Sequence, residues 1–506
     1  MGKGKVWLVG AGPSDVGLFT LKGKQVLEQA EVVVYDALVG HGVLAMVPKS
    51  AELIDVGKRA GNHTLPQEMI NQVLLEKAME GKRVVRLKGG DPFLFGRGGE
   101  ELELLTENDI PFEIVPGVTS AISVPAYNGI PVTHRDFCSS LHIITGHKKK
   151  GREYDIDFEA LVRTKGTLVF LMGITAMEDI CKGLMAGGMS PDMPAAVLQK
   201  GTSARQKRVV ATVGTLKAAS DAAKIETPAI IVVGKVCTVA EQFTWYEKLP
   251  LQGCRVLVTR PKELASRMTD QLREKGAEVV ELPAIQTEAI LPNKQLEEAI
   301  ASIEKYQWVV FTSQIGVRIF YEALKNARID VRRMNGLKIA AIGKGTKAEV
   351  ENHGMFVDLM PSIYDGESLG RELAGVCEKG DQILIPRARI GSHELIEELE
   401  KAEGVKIDEI PTYDTVLVES HLIDEKKEFA AGNMDYAIFT SASTVRGFEA
   451  ATPGLDYSTV EAVCIGKQTA AEAEKLGMKV HISKIASIAS VAQLTEELFA
   501  AKKASL

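Results

Sequence analysis

The sequence predicts an α/β protein assembled from several units with largely parallel sheets, and three observations carry that reading. Short β-rich runs alternate with amphipathic helical stretches along almost the whole chain. The rhythm breaks at EQFTWYEKLPLQGC (241–254), an aromatic, proline-bearing stretch that precedes a fresh strand, CRVLVTR, and divides the chain in two. Beyond that break the sequence repeats itself. With 506 residues there is room for three or four units of about 150 residues each.

In the first part KVWLVG (5–10), EVVVYD (31–36), RVVRLK (83–88), FEIVPG (112–117), LHIITG (141–146), TLVFLMG (167–173) and AIIVVG (229–234) read as strands. Each is rich in β-branched residues, and most run into a turn residue. Thr64-Leu-Pro-Gln67 reads as a capping box with Pro66 in the first helical turn. Met69, Ile70, Val73, Leu74 and Ala78 follow at helical spacing before a stop at Gly81.

In the second part WVVFTSQIGVRIF (308–320) is echoed by YAIFTSASTVRGF (436–448), and IAAIGKGT (339–346) by AVCIGKQT (462–469). The stretch 254–285 is likewise echoed by 381–413, at a similar offset. Two like-folded α/β lobes account for this, and the period is too long for a solenoid unit.

Composition narrows the function. Hydrophobic residues make up 45% and charged residues 25%, ordinary usage for a folded soluble chain. No run of about 18 apolar residues is present and the N-terminus lacks a signal-peptide pattern, so we expect a cytosolic protein without a membrane span. The net charge of −7 argues against nucleic-acid binding through a global positive field. Cys138, Cys181, Cys237, Cys254, Cys377 and Cys464 form no CxxC pair and the nine histidines no HExxH, so neither disulfides nor a metal are expected. Positive charge is nonetheless concentrated locally before residue 210. The groups are Arg83/Arg86/Lys88/Arg97, His134-Arg135, His147 to Lys150, and Arg205/Lys207/Arg208, a set suited to a small polyanion.

Two loops stand out. Val9-Gly10-Ala11-Gly12-Pro13-Ser14-Asp15, with Asp36 after the next strand, mimics a dinucleotide site by spacing. The third glycine of that fingerprint is missing at Asp15, and Pro13 removes an amide donor, so a close-approach turn for an uncharged or cationic ligand fits better than NAD. The second loop, Arg86 to Glu101 (RLKGGDPFLFGRGGEE), packs five glycines around an Asp-Pro turn and lacks the Lys and hydroxyl of a phosphate-binding Walker loop.

Together VGAGPSD, VYD, VGKRAGNH, VRLKGGDPFLFGRGGEE, VPGVTSAISVPAYNGIPVTHR, LMG, KGTSARQ and TPAIIVVG closely resemble the uroporphyrinogen-III C-methyltransferases of the tetrapyrrole methylase family, in order over about residues 1–245. One departure is visible: the first loop reads GPSDV where the family usually has GPGDP, so Ser14 and Val16 replace a Gly and a Pro. The resemblance implies a two-lobed tetrapyrrole methylase fold that forms a homodimer. It implies transfer of two methyl groups from S-adenosylmethionine to uroporphyrinogen III, giving precorrin-2 on the way to sirohaem and cobalamin, with no metal. By the same match Pro13, Gly89, Gly90, Asp91, Leu94, Thr119, Ser120, Met172, Gly201, Pro228 and Ala229 would contact the cofactor. Asp36 would act as general base, with Lys58 in the site as proton donor or as a binder of a carboxylate arm. Arg59, Arg97, His134 and Arg135 would meet the substrate's carboxylates. Read without the family, Met172 would be an ordinary core methionine at a strand end.

The FTS and IGxxT patterns of the second part resemble uroporphyrinogen-III synthase, which closes hydroxymethylbilane with inversion of the last ring and so supplies the methylase substrate. That implies a pair of flavodoxin-like α/β lobes joined by crossover strands. We therefore expect a methylase over 1–245, a linker at 246–253 and a synthase over 254–506, with lobe one about 254–285 plus 415–506 and lobe two about 286–412. Thr312, Ser313, Thr440 and Ser441 would offer hydroxyls to the substrate, and Tyr413 matches a tyrosine that assists loss of the substrate hydroxyl. The alternatives are that all five are capping or packing residues, and that this half is a tetrapyrrole-binding regulatory module without synthase activity.

Overall fold

The structure, a computed structural model, describes residues 2–57, 65–146, 156–259, 262–282, 285–391, 393–417 and 425–505. These form twenty strands in four five-stranded sheets. The chain divides into two compact units, residues 1–282 with 420–506, and residues 283–419.

In the first unit β1 (Lys5–Gly10), β2 (Val32–Tyr35), β3 (Glu52–Asp55), β4 (Arg83–Lys88) and β5 (Phe112–Val115) make an all-parallel sheet in the order β3-β2-β4-β1-β5. Successive residues along its strands face two different helix layers. Val6, Leu8, Val32, Val34 and Val84 pack with Ile70, Leu74 and Leu105, whereas Val9, Val33, Val85 and Leu87 pack with Leu27 and Val43. Both faces are covered over the central strands β1, β2 and β4, whose valines and leucines are buried, whereas the edge strands β3 and β5 are partly exposed. Each fully buried Val or Leu contributes about 1.5–3 kcal/mol.

The helix Gln67–Met79 lies on this sheet with Ile70, Leu74 and Ala78 buried and Met69 half exposed. Pro66 occupies the N-cap position rather than the first turn, and no side chain caps the helix. Thr64, the expected cap, lies outside the described residues.

The second sheet corrects the expectation of largely parallel pairing. It is built from β6 (Leu141–Thr145), β7 (Thr167–Leu171), β8 (Pro194–Gln199), β9 (Lys207–Thr212) and β10 (Ala229–Val233), in the order β6-β7-β10-β8-β9. Only β6 and β7 run parallel; the other three pairings are antiparallel. Strands β3, β8 and β9 had no clear sequence signal. β9 is a half-exposed edge carrying Lys207 and Arg208, and β8 opens on a proline.

The C-terminal strands are β11 (Arg255–Val258), β12 (Glu278–Glu281), β13 (Ile285–Ala289), β14 (Trp308–Phe311), β15 (Lys338–Ala341), β16 (Gln382–Ala388), β17 (Lys406–Leu417), β18 (Tyr436–Phe439), β19 (Glu461–Cys464) and β20 (Lys479–Ile482). The third sheet, in the first unit, runs β12-β11-β18-β19-β20 with every pairing parallel. Numbered within its own lobe this is 2-1-3-4-5, the flavodoxin-like order. The second unit holds the fourth sheet, β13-β17-β16-β14-β15, parallel except for the antiparallel edge strand β13.

The sequence repeat takes on a definite meaning here. Blocks 254–285 and 381–413 contribute β11-β12 and β16-β17, and blocks 308–346 and 436–469 contribute β14-β15 and β18-β19. Each sheet joins one block of the first kind to one of the second, yet not in chain order. The first block pairs with the last, and the two middle blocks pair with each other.

Candidate active site

The loops after β1, β2, β4 and β5 all leave the carboxyl edge of the first sheet, where ligands of parallel α/β folds bind. The chain backbone converges there. Gly12 and Gly90 exchange amide hydrogen bonds of 3.2 and 2.8 Å, and a Cβ on Gly117 would stand 2.2 Å from the Gly90 carbonyl oxygen. Asp91 ties this contact together. Its Oδ1 accepts the Phe93 and Leu94 amides at 2.8 and 3.0 Å, and its Oδ2 accepts the Gly117 amide at 3.0 Å.

The first loop is pinned from the second sheet's side of the same unit. Thr202 Oγ1 donates to the Pro13 carbonyl at 3.0 Å, and the Tyr127 hydroxyl donates to Asp15 Oδ2 at 2.6 Å. Ser14 sits at φ 126°, in the region that favours glycine. Thr119 N-caps the helix Ser120–Tyr127 by accepting the Ala121 amide. Gly201 is buried, and a Cβ there would lie 2.3 Å from Val124 Cγ1. The Pro228 carbonyl accepts the Lys200 amide at 2.9 Å, and Ala229 begins β10 as a buried residue. Met172 is not the core methionine its strand-end position suggested: it is 51% exposed and holds φ 55° just past β7.

Asp36 stands where the loop after β2 meets the glycine loop after β4. Its Oδ1 accepts the Leu38 amide at 3.0 Å and the Gly89 amide at 3.4 Å, and the side chain remains partly accessible. The positive groups expected around a polyanion are only partly available. Arg86 and Lys88 are 3% and 4% exposed and bound to Glu101, so burial removes them from any surface ligand. Arg205 pairs with Glu428, and Arg208 with Glu241 and Glu247. Arg97 is exposed and paired with Glu100 at 2.9 Å, His134 stacks on Phe137, and Arg135 faces solvent. Lys58, Arg59 and His147 to Lys150 lie outside the described residues.

In the third sheet's lobe Ser441 caps the helix Ala442–Ala451 through a reciprocal capping box with Thr444, and Thr440 precedes it half buried. In the second unit Ser313 caps the helix Gln314–Asn326, with the half-buried Thr312 just before it. Tyr413, 7% exposed on β17, places its hydroxyl 2.7 Å from Ser313 Oγ. Burial holds the phenol above its usual titration range, opposed by the Ser313 hydrogen bond and by the Arg387 guanidinium. Arg387 is itself buried and paired with Glu409 at 3.0 Å.

Sequence reasoning missed Thr202, Tyr127, Glu101 and Arg387. KGTSARQ was noticed for Gly201, but nothing in a single sequence shows that the adjacent Thr202 reaches back to Pro13. Among the described residues no group of three or more His, Cys, Asp or Glu could hold a metal, and no helix is long and apolar enough to cross a membrane.

Two family models match the chain: Tetrapyrrole (Corrin/Porphyrin) Methylases over residues 5–217 and Uroporphyrinogen-III synthase HemD over residues 266–493. The "Porphyrin biosynthesis protein HemD" of Ruminiclostridium josui is 45% identical over 491 residues, 97% of either chain. The "Uroporphyrinogen-III C-methyltransferase" of Bacillus subtilis is 42% identical over 359 residues, 71% of this chain and 73% of its own. The "Siroheme synthase" of Salmonella typhimurium is 52% identical over 247 residues, 48% of this chain and 52% of its own.

Proposed function

We infer the function from a premise the relatives supply: the chain belongs to the porphyrin-biosynthesis family in which a tetrapyrrole (corrin/porphyrin) methylase is fused to a uroporphyrinogen-III synthase. It is a bifunctional enzyme of tetrapyrrole biosynthesis. In our reading the synthase half closes hydroxymethylbilane to uroporphyrinogen III, and the methylase half adds two methyl groups to that product, giving precorrin-2. The domains follow the halves, 1–245 and 254–506 about a linker at 246–253.

The methyl donor we assign is S-adenosylmethionine, which supplies an electrophilic methyl group on a sulfonium. The loops fit such a ligand. Met172 and the half-buried Leu94 offer apolar contact, the bridged Gly12 and Gly90 bring backbone close, and the Asp91 carboxylate is spent on three amides instead of confronting the ligand. Pro13, Gly89, Thr119, Ser120, Gly201, Pro228 and Ala229 complete the set. Asp36 carries the reading: a partly accessible carboxylate held 3.4 Å from the Gly89 amide is placed to take the proton that the ring carbon must shed after methylation. Lys58, Arg59, Arg97, His134 and Arg135 meet the substrate's carboxylate arms. In the synthase half Tyr413 assists loss of the substrate hydroxyl, and Thr312, Ser313, Thr440 and Ser441 bind carboxylates.

Anaerobic incubation with fresh hydroxymethylbilane, with and without S-adenosylmethionine, tests both activities. The type III ring without the donor and a dimethylated product with it are expected. Type I ring alone would reduce the second half to a binding module. The methylase half also mediates a cytoplasmic homodimer in this reading, which a monomeric mass at micromolar concentration would refute.

A further inference from the structure

Beneath Asp36 lies a group of buried charges that the reading above leaves without a task. β4 supplies Arg86 and Lys88, and the helix Gly98–Glu107 supplies Glu101, whose side chain has no exposure at all. Glu101 Oε1 accepts from Lys88 Nζ at 2.7 Å, Arg86 Nε at 3.1 Å and Gln67 Nε2 at 3.2 Å. Its second oxygen, Oε2, is buried with no hydrogen-bond partner. Arg86 points the other way as well: Nη2 lies 3.7 Å from Asp36 Oδ2, while Nη1 donates to the Val34 and Leu87 carbonyls.

Two cations and two carboxylates thus form one chain of contacts, Lys88 to Glu101 to Arg86 to Asp36, of which only Asp36 reaches solvent. Burial and the neighbouring Arg86 push the Lys88 ammonium below its usual range, opposed by Glu101 and Asp36. Apolar side chains of similar volume often replace a buried ion network without loss of stability, so four charges in one contact chain point to a purpose beyond packing. Among the described residues the other titratable side chains on β2, β3 and β4 are Tyr35, Glu52, which pairs with Lys77, Asp55, whose Oδ1 accepts the Gly57 amide, and Arg83, which pairs with Glu31.

We propose that Glu101 is a positioning residue for methyl transfer: it anchors the Arg86 guanidinium from the protein interior, and Arg86 in turn fixes the aim and charge balance of the Asp36 carboxylate. The proposal rests on Asp36 being the base. Nothing in the chain of contacts reaches the reacting atoms except Asp36, so Glu101 and Arg86 act only through it.

The test is the pH dependence of methylation in the full chain carrying Glu101→Gln or Lys88→Met. Removing the Glu101 charge leaves two cations facing Asp36 alone, which favours its ionised form, so the acid limb of kcat moves down by about one pH unit. Removing Lys88 withdraws a cation, and the same limb moves up by a similar amount. The KM for S-adenosylmethionine stays unchanged in both. Opposite shifts are the outcome that a merely structural role does not produce; equal loss of activity with unmoved limbs would overturn the proposal. Should Glu101→Gln fail to fold by circular dichroism, the Lys88→Met limb decides. Asp36→Asn is run alongside. If it turns over at the native rate, the base assignment itself falls; if it is inactive and the limbs stay put, only the positioning role does.

Discussion

The phenolic oxygen of Tyr413 lies 2.7 Å from Ser313 Oγ, joining positions 100 residues apart in the sequence. Ser313 Oγ also accepts the Gly316 amide at 3.0 Å, so the serine is at once a helix cap and a partner for a buried phenol. Burial keeps the Tyr413 phenol protonated, and in the proposed role that proton is the one given to the leaving hydroxyl.

Tyr413→Phe should therefore slow ring closure by on the order of a hundredfold, the lower end of general-acid contributions, and leave methylation untouched. Ser313 keeps its capping bond in that variant, so the fold is preserved. Rates of uroporphyrinogen III formation and of methylation, measured on the same sample, check this. Loss of both together would point to damaged folding instead.

Asp36→Asn removes the proposed base at constant volume. Methylation should fall by at least about a hundredfold while S-adenosylmethionine binding, followed by calorimetry, survives. The Leu38 amide keeps an acceptor in the asparagine oxygen, so the loop geometry is retained.

Ser14→Gly should raise stability. Ser14 holds φ 126°, where a side chain is strained and glycine is not, and relief of such strain outweighs the added freedom of the unfolded chain by about 1 kcal/mol. A urea midpoint below that of the parent would show that the loop carries no strain at this residue.

His41 gives the protein an acid-sensitive contact. Burial, and then the Arg255 guanidinium, hold its imidazole below the ordinary 6.5, and its Nδ1 is buried without a hydrogen-bond partner. The folded state therefore binds fewer protons than the unfolded chain once the pH drops below 6.5. Stability declines as the pH falls through 6.5 and on down through the lowered folded value, and the effect fades as the pH rises well above 6.5. In His41→Leu the gap between urea midpoints at pH 7.5 and pH 5.5 should narrow; an unchanged gap would exclude this histidine as a source of acid lability.

Much of this was legible in the sequence, for identifiable reasons. Strands buried on both faces, such as KVWLVG and RVVRLK, announce themselves through their runs of β-branched and other apolar residues and the glycines that follow them. Edge strands such as β9 do not, since water on one side allows Lys207 and Arg208 to interrupt the pattern. The glycine loops were visible because close backbone approach admits little else. What escaped was whatever depends on long-range pairing. Arg86 and Lys88 looked like surface charge because Glu101, the residue that draws them inside, carries no mark of burial in the sequence. Read without the family, Met172 looked like core because nothing local tells a strand end that faces solvent from one that does not.

The exchange of blocks between the two C-terminal sheets sets an order of events during synthesis. The fourth sheet is complete once β17 has left the ribosome, because β13 to β17 are contiguous. β11 and β12 emerge earlier but must wait for β18, which arrives on the order of ten seconds later at ordinary elongation rates. During that interval the edge of β11 that β18 will cover is an unpaired parallel edge of buried-type residues, Val256 and Leu257 among them. A nascent chain stalled anywhere between residues 282 and 436 would expose that edge, and chaperone capture should fall once β18 has emerged.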